Sequence, residues 1–140
     1  MKIPFLKQLQ RLTGPVPNEV VLTTTGPEGV AIEQAIRYLL DELPDLLMAA
    51  VVDVATGKPL ATYTTDRSLR PAAVAGFNAG VVRQLQASLG AQGAAATEQI
   101  EEILFTLPSQ LHLLHVAAGN QLFVYLAVDC RDTTWALPGP

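Results

Sequence analysis

The sequence predicts an α/β (α+β) fold, because a helix, two strands, a second helix and three further strands follow one another along the chain. Two segments repeat apolar residues every three or four positions, as amphipathic helices do, and five short apolar runs bounded by turn residues have the length of strands. The 140 residues are 49% hydrophobic and 16% charged, and a chain of this size and composition forms one hydrophobic core.

The first helix is predicted to begin after Thr25. Thr25-Gly-Pro-Glu28 has the Ser/Thr-x-x-Glu form of a capping box, in which a hydroxyl and a carboxylate bind free amide donors at a helix start. Apolar pairs then recur every four residues, beginning with Ala31 and Ile32, and Pro44 ends the helix. Residues 18–24 are mostly β-branched and are predicted to extend as a strand.

A β-hairpin is predicted next. The apolar run from Leu46 to Val52 is bounded by turn residues and has the length of a buried strand. Asp53 to Gly57 then forms a turn, because an aspartate binds the backbone just after it and a glycine adopts the positive φ that closes a hairpin. The second strand of the hairpin covers Pro59 to Thr64.

The second helix combines large and small side chains. Pro71 is tolerated in its first turn and Gly90 marks its end. An apolar stripe follows the helical repeat: Val74, Phe77, Val81, Leu85 and Leu89. The other rows are mostly small, and Gly76 with Gly80 costs about 2 kcal/mol of helix propensity relative to alanine. Close backbone contact usually offsets such a cost, so we expect a second helix to pack against the small residues.

Three more strands are predicted at Glu98–Thr106, Leu111–Ala117 and Gln121–Asp129, after which there is room for about one helical turn before residue 140. Residues 1–24 are predicted to form an N-terminal arm and residues 25–140 the domain. The arm begins with apolar residues at helical spacing: Phe5, Leu6, Leu9 and Leu12. This short amphipathic helix either packs on its own domain or docks elsewhere, on a partner or a membrane.

Composition restricts the partners. The net charge of −4 has the wrong sign for a phosphate backbone, which disfavours nucleic acid and anionic lipid. The low charged fraction favours a homodimer. One cysteine and the absence of a signal peptide predict a cytoplasmic protein. The 26 uncharged residues from Ile103 to Val128 could span a bilayer by length, but turn residues interrupt them, so we expect no membrane insertion.

Motifs for catalysis, metals and nucleotides are missing from the sequence. His112 and His115 lie three apart on a predicted strand, where they face opposite sides, so no metal is expected. Cys130 follows a strand without the setting of a nucleophile, and no glycine-rich phosphate loop occurs. The acidic group Glu98, Glu101 and Glu102 is interpreted as a soluble strand edge rather than an acid–base pair. We therefore predict no cofactor and no enzymatic activity.

Three segments resemble the roadblock family, the dynein-light-chain-seven-like domains. They are Leu43 to Ala61 with its turn, Asp66 to Phe77, and Leu122 to Leu137. The resemblance covers residues 28–137 and implies a five-stranded antiparallel sheet in the order 2-1-5-4-3 with helices on its faces. Family members usually carry a full third helix, which Pro138-Gly-Pro140 truncates here, and the arm of residues 1–24 is a candidate to cover the vacated surface.

The resemblance also implies function: a non-catalytic homodimer that binds a Ras-like small GTPase, either stimulating its hydrolysis as one bacterial branch does or acting as a scaffold. The alternatives are a structural adaptor in a motor or signalling complex and, third, an enzyme or small-molecule sensor. The expected dimer interface comprises Ala72, Gly76, Gly80, Ile100, Ile103 and Phe105. The expected partner-binding residues are Arg67, Arg70, Asn78 and Arg83, although the arginines also have an ordinary interpretation as solubilising surface charges.

Overall fold

The computed structural model describes residues 16–93, 98–117, 119 and 121–131. Two predictions lie outside these residues: the amphipathic helix at the N-terminus and the short helical turn after Asp132. The described elements, in chain order, are β1 (Val21–Leu22), α1 (Gly26–Glu42), β2 (Leu46–Asp53), β3 (Pro59–Thr64), α2 (Pro71–Ala91), β4 (Glu102–Leu107), β5 (Gln110–Val116) and β6 (Leu122–Asp129). Neither described helix is long and apolar enough to cross a membrane.

The strands form one antiparallel sheet in the order β1-β3-β2-β6-β5-β4. The predicted order of five strands corresponds to β3-β2-β6-β5-β4 and is confirmed, and β1 adds a sixth strand beyond β3. The Asn18 and Thr23 amides donate to the carbonyls of Thr64 and Leu60, at 2.7 and 2.9 Å. Residues 18–23 are thus attached to the edge of the sheet beside β3.

The two helices lie on opposite faces of the sheet and bury two apolar clusters. Ile32 and Ile36 of α1 pack on one face with Ala49, Val51 and Ala61. On the other face, the α2 cluster contains these fully or almost fully buried side chains: Ala75, Ala79, Val82, Val52, Leu114, Phe123 and Tyr125. Alternation along each strand directs successive side chains to opposite faces, so residues such as Ala49 and Ala50 of β2 belong to different clusters.

Local turn chemistry agrees with the sequence at the hairpin and differs at the first helix. The carboxylate of Asp53 accepts hydrogen bonds from the amides of Ala55 and Thr56, at 2.9 and 3.1 Å. Gly57 has a φ of +74°, as the turn requires. Helix α1 does follow Thr25, but the threonine side chain makes no capping hydrogen bond. The capping-box motif therefore predicts the start of the helix correctly, but the predicted hydrogen bond to the threonine side chain is absent.

Candidate interaction surface

Helix α2 presents its large side chains to solvent. Ala75, Ala79 and Val82 face the sheet, whereas Phe77 is 80% exposed, Val81 45% and Leu85 41%. Small residues of α2 therefore pack on the sheet, and three large side chains of its apolar stripe face solvent. Small residues bring α2 close to the sheet: a Cβ at Gly57 would lie 3.6 Å from both the Ala79 Cβ and the Gly76 Cα.

The expected interface glycines lie to one side of this exposed stripe. Ala72 and Gly76 are exposed and Gly80 is half-buried. A Cβ at Gly76 would meet nothing within 4 Å, and one at Gly80 would meet only the Arg83 guanidinium, at 3.9 Å. Within one protomer, space is therefore available at both positions.

Strand β4 is the outer strand of the sheet on the side away from β1. Ile103, and Ile100 just before the strand, pack against the α2 cluster. Phe105 stays 40% exposed and Leu107 48% exposed. Together with Phe77, Val81 and Leu85, these two side chains define what we call the α2–β4 patch. Its members lie on the α2 side of the sheet and are all large apolar side chains that are at least 40% exposed, which is typical of an interaction surface.

A histidine is buried directly beneath Phe105. The rings of Phe105 and His112 are stacked, with centroids 4.6 Å apart and planes 13° apart. His112 Nδ1 lies 2.9 Å from the Tyr125 hydroxyl, and Nε2 lies 2.8 Å from Gln110 Oε1. Because the amide oxygen only accepts, Nε2 carries the proton and Nδ1 accepts from the tyrosine. Burial lowers the pKa of His112 and raises that of Tyr125.

The four expected partner-binding residues are not assembled within one protomer. Arg67 and Arg70 are exposed just before α2, whereas Arg83 lies 13 residues after Arg70, about 20 Å along the helix axis. The Arg83 guanidinium donates to the carbonyls of Val54 and Ala55.

Asn78 corrects the expectation of a surface position. It is only 7% exposed, and within the described part of the chain its Nδ2 has no hydrogen-bond partner. The hydrophobic stripe and the arginines indicated that α2 carries an interaction surface. No sequence signal showed which row of its residues faces the sheet.

The remaining polar groups do not converge. Among the described residues, no three histidine, cysteine or carboxylate side chains lie close enough to share a metal ion. His115 and Glu102 form an exposed pair at 3.2 Å, on the sheet face opposite His112. A cavity of about 620 Å³ beside Arg83 and Gln86 is also lined by Glu28 and Asp53. The cavity combines carboxylates with an arginine that is already bonded to the hairpin turn.

Comparison with protein-family models gives no match, and neither does comparison with curated protein sequences. Solved structures are similar in fold. MglB of Myxococcus xanthus is 14% identical, with a TM-score of 0.63 over 79% of this chain and 78% of that one. The gliding protein MglB of Thermus thermophilus is 21% identical, with a TM-score of 0.57 over 82% and 81%.

A roadblock/LC7 domain from Streptomyces avermitilis is 14% identical, with a TM-score of 0.52 over 68% of this chain and 75% of that one. These structural likenesses establish the fold, and sequence identities this low leave the partners open. The chain therefore has a roadblock fold of the bacterial MglB type. This conclusion follows from the order of its helices and strands, from the position of α2 on one face of the antiparallel sheet and from these likenesses.

Proposed function

We propose that the chain forms a homodimer that binds a Ras-like small GTPase and regulates it without catalysing a reaction of its own. The observation that carries the proposal is the α2–β4 patch, in which Phe77 is 80% exposed. An aromatic side chain surrounded by aliphatic ones on a rigid helix is typical of a protein interface.

The backbone of β4 supports pairing with a second copy. The Val116 amide donates to the Glu101 carbonyl, directly opposite, at 2.8 Å. Hydrogen-bonded pairs alternate along an antiparallel ladder, so Ile103, Phe105 and Leu107 bond inward to β5. The amides of Glu102, Leu104 and Thr106 then point outward at the open edge. A second β4, antiparallel to the first, would satisfy them.

A two-fold axis near Phe77 would also bring the dispersed arginines together. Two antiparallel α2 helices related by such an axis place residue 71 of one copy level with residue 83 of the other. Arg70 and the Arg83 of the second copy are then one residue apart in level, about 1.5 Å along the axis. The dimer, rather than the protomer, would present a basic surface, and the proposed GTPase contacts are therefore Arg67 and Arg70 of one copy with Arg83 of the other.

The test is binding of small GTPases from the same cell, each loaded with GDP or with a non-hydrolysable GTP analogue. We expect the chain to bind one of them in its GTP-analogue form. Changing Arg67 and Arg70 to alanine should weaken binding about twofold to thirtyfold at low salt, because exposed charge pairs contribute about 0.2 to 1 kcal/mol each. Arg37→Ala is the matched control, since Arg37 lies on α1 and pairs with Glu33 at 2.7 Å.

Stimulated hydrolysis separates two modes of regulation. An arginine supplied to the γ-phosphate would make a single arginine variant lose about a thousandfold of the stimulated rate. We expect a milder loss, because Arg83 is already bonded to its own hairpin turn. If no GTPase of the cell binds in either nucleotide state, the adaptor alternative replaces this proposal.

A further inference from the structure

A second apolar surface lies on the opposite face of the sheet. Helix α1 packs mainly on β2 and β3, and the described helices leave β5, β4 and part of β6 exposed on that side. The strand registers place these side chains in adjoining rows: Leu104, Leu113 and Leu126 in one, Thr106, Leu111 and Val128 in the next. We call the uncovered part the open face and define it by Leu104, Leu111, Leu113, Val124 and Val128. Leu104 is 58% exposed and the other four are half-buried.

Acidic groups border the open face at two sides. Glu102 and His115 occupy the row beside Leu104, and both side chains are more than half exposed. At the other side, the last turn of α1 contains Asp41 and Glu42 and no basic residue. Within the described part of the chain neither carboxylate forms an ion pair. The helix C-terminus itself adds partial negative charge, so this border favours basic side chains.

The first fifteen residues have the complementary composition. They contain three basic and no acidic side chains, whereas the rest of the chain contains six basic and thirteen acidic ones. A segment of charge +3 thus precedes a body of charge −7. At helical spacing, Phe5, Leu6, Leu9 and Leu12 share one side and Lys7 with Arg11 lie on the other. This is the pattern of a helix that covers an apolar surface with an acidic border.

The described chain begins close enough for this segment to reach the open face. The Tyr63 hydroxyl donates to Asn18 Oδ1 at 3.2 Å, and Tyr63 belongs to the cluster on the same side of the sheet as the open face. From β3 to β6 is two strand spacings, about 10 Å. Residues 13–17 span up to about 17 Å when extended, and a helix over residues 2–12 is about 16 Å long. These lengths are enough for a helix at these positions to reach β6, β5 and β4 from Asn18.

We propose that residues 1–15 dock on the open face of their own chain as an amphipathic helix. Phe5, Leu6, Leu9 and Leu12 contact Leu104, Leu113 and their apolar neighbours. Lys7 and Arg11 stay on the solvent side of the helix, where their charges attract the acidic border at longer range. The proposal is independent of any GTPase. It assigns the occupant of the one large sheet surface that the described helices leave open.

A paramagnetic label tests the contact. A Cys130→Ser chain carrying Gln10→Cys with a nitroxide, and isotope-labelled leucine and valine methyls, reports which methyls lie near residue 10. We expect broadening of the signals from Leu104, Leu113 and Val124, and unchanged signals from Val74 and Val82 on the α2 side. Leu9→Asp should abolish the broadening, whereas Gln8→Asp, which adds the same charge at the polar boundary, should preserve it.

Three results would overturn the proposal. The first is broadening confined to other methyls or absent altogether. The second is equally strong broadening in a mixture of nitroxide-bearing chains without methyl labels and methyl-labelled chains without a nitroxide, because that places the segment on a second copy. The third is binding of residues 1–15 to vesicles of anionic phospholipid while the open-face signals stay unbroadened. None of these outcomes depends on whether the chain binds a GTPase, so this proposal and the proposed function fail separately.

Discussion

Replacing Phe77 with alanine should convert the proposed dimer to a monomer at micromolar concentration. Phe77 is 80% exposed in the protomer, and complete burial of a phenylalanine stabilises by up to about 3 kcal/mol. Burying the exposed part at an interface is thus worth about 2 kcal/mol per copy. A two-fold interface contains the residue twice, so Phe77→Ala should cost about 4 kcal/mol, or about a thousandfold in the dimer Kd.

Light scattering or sedimentation over a dilution series measures the effect. Tyr38→Ala is the matched control, since Tyr38 is also an exposed aromatic residue, at 63%, but lies on α1 on the opposite face of the sheet. The fold of both variants should be unaltered, because neither side chain contributes to the buried clusters. A wild-type chain that is monomeric at micromolar concentration, or a Phe77→Ala dimer of unchanged Kd, would refute the argument.

Three further predictions use changes at single positions. Thr106→Pro should weaken the proposed dimer and preserve the fold, because the Thr106 amide points outward from the sheet. Ile103→Pro should instead lower the free energy of unfolding, because it removes the amide that bonds to β5. Sedimentation measures the first effect and urea titration the second. Gly76→Ala should stabilise the fold by up to about 1 kcal/mol, since a Cβ there meets nothing within 4 Å. Gly29→Ala should destabilise it, since a Cβ there would lie 2.7 Å from the Thr24 carbonyl oxygen. Thermal unfolding of both variants is the check, and a lower Tm for Gly76→Ala than for Gly29→Ala would contradict the packing described. Burial lowers the pKa of His112 below its unfolded value of 6.5, so the stability that neutral His112 contributes is complete above pH 6.5 and is lost as the pH falls below that value. His112→Gln should therefore flatten the pH dependence of the unfolding free energy between about pH 7.5 and about pH 5.5. An equally steep pH profile in the variant would exclude His112 as its source.

The sequence predicted the elements well because their signals are local. Asp53 and Gly57 fix their turn through backbone bonds and a positive φ, both of which depend on residues within the turn itself. The two-residue strand β1 was predicted only as part of a longer extended segment, because its length is set by the edge of β3 rather than by its own residues.

The orientation of α2 could not be read from periodicity. Apolar periodicity finds a stripe but does not say whether the stripe or the small residues pack on the sheet, since both reduce exposed surface. The approach of Gly57 to Ala79 and Gly76 decides it, and that contact joins residues more than eighteen positions apart. The same limit explains Asn78, whose polar side chain indicated a surface position and whose place on the helix buries it.

Strand β4 links the two proposed contacts. An outer strand with apolar side chains on both faces and unpaired amides invites aggregation unless it is covered. Phe105 and Leu107 point to the α2 side and Leu104 to the open face, so alternation along one strand assigns the dimer and the N-terminal segment to different sides. Both can bind at once. A dimer joined through β4 would place the two open faces side by side, with the Leu104 side chains of both copies near the two-fold axis. Covering that surface would then stabilise the strand through which the proposed dimer joins, and the two proposed contacts would use opposite faces of β4.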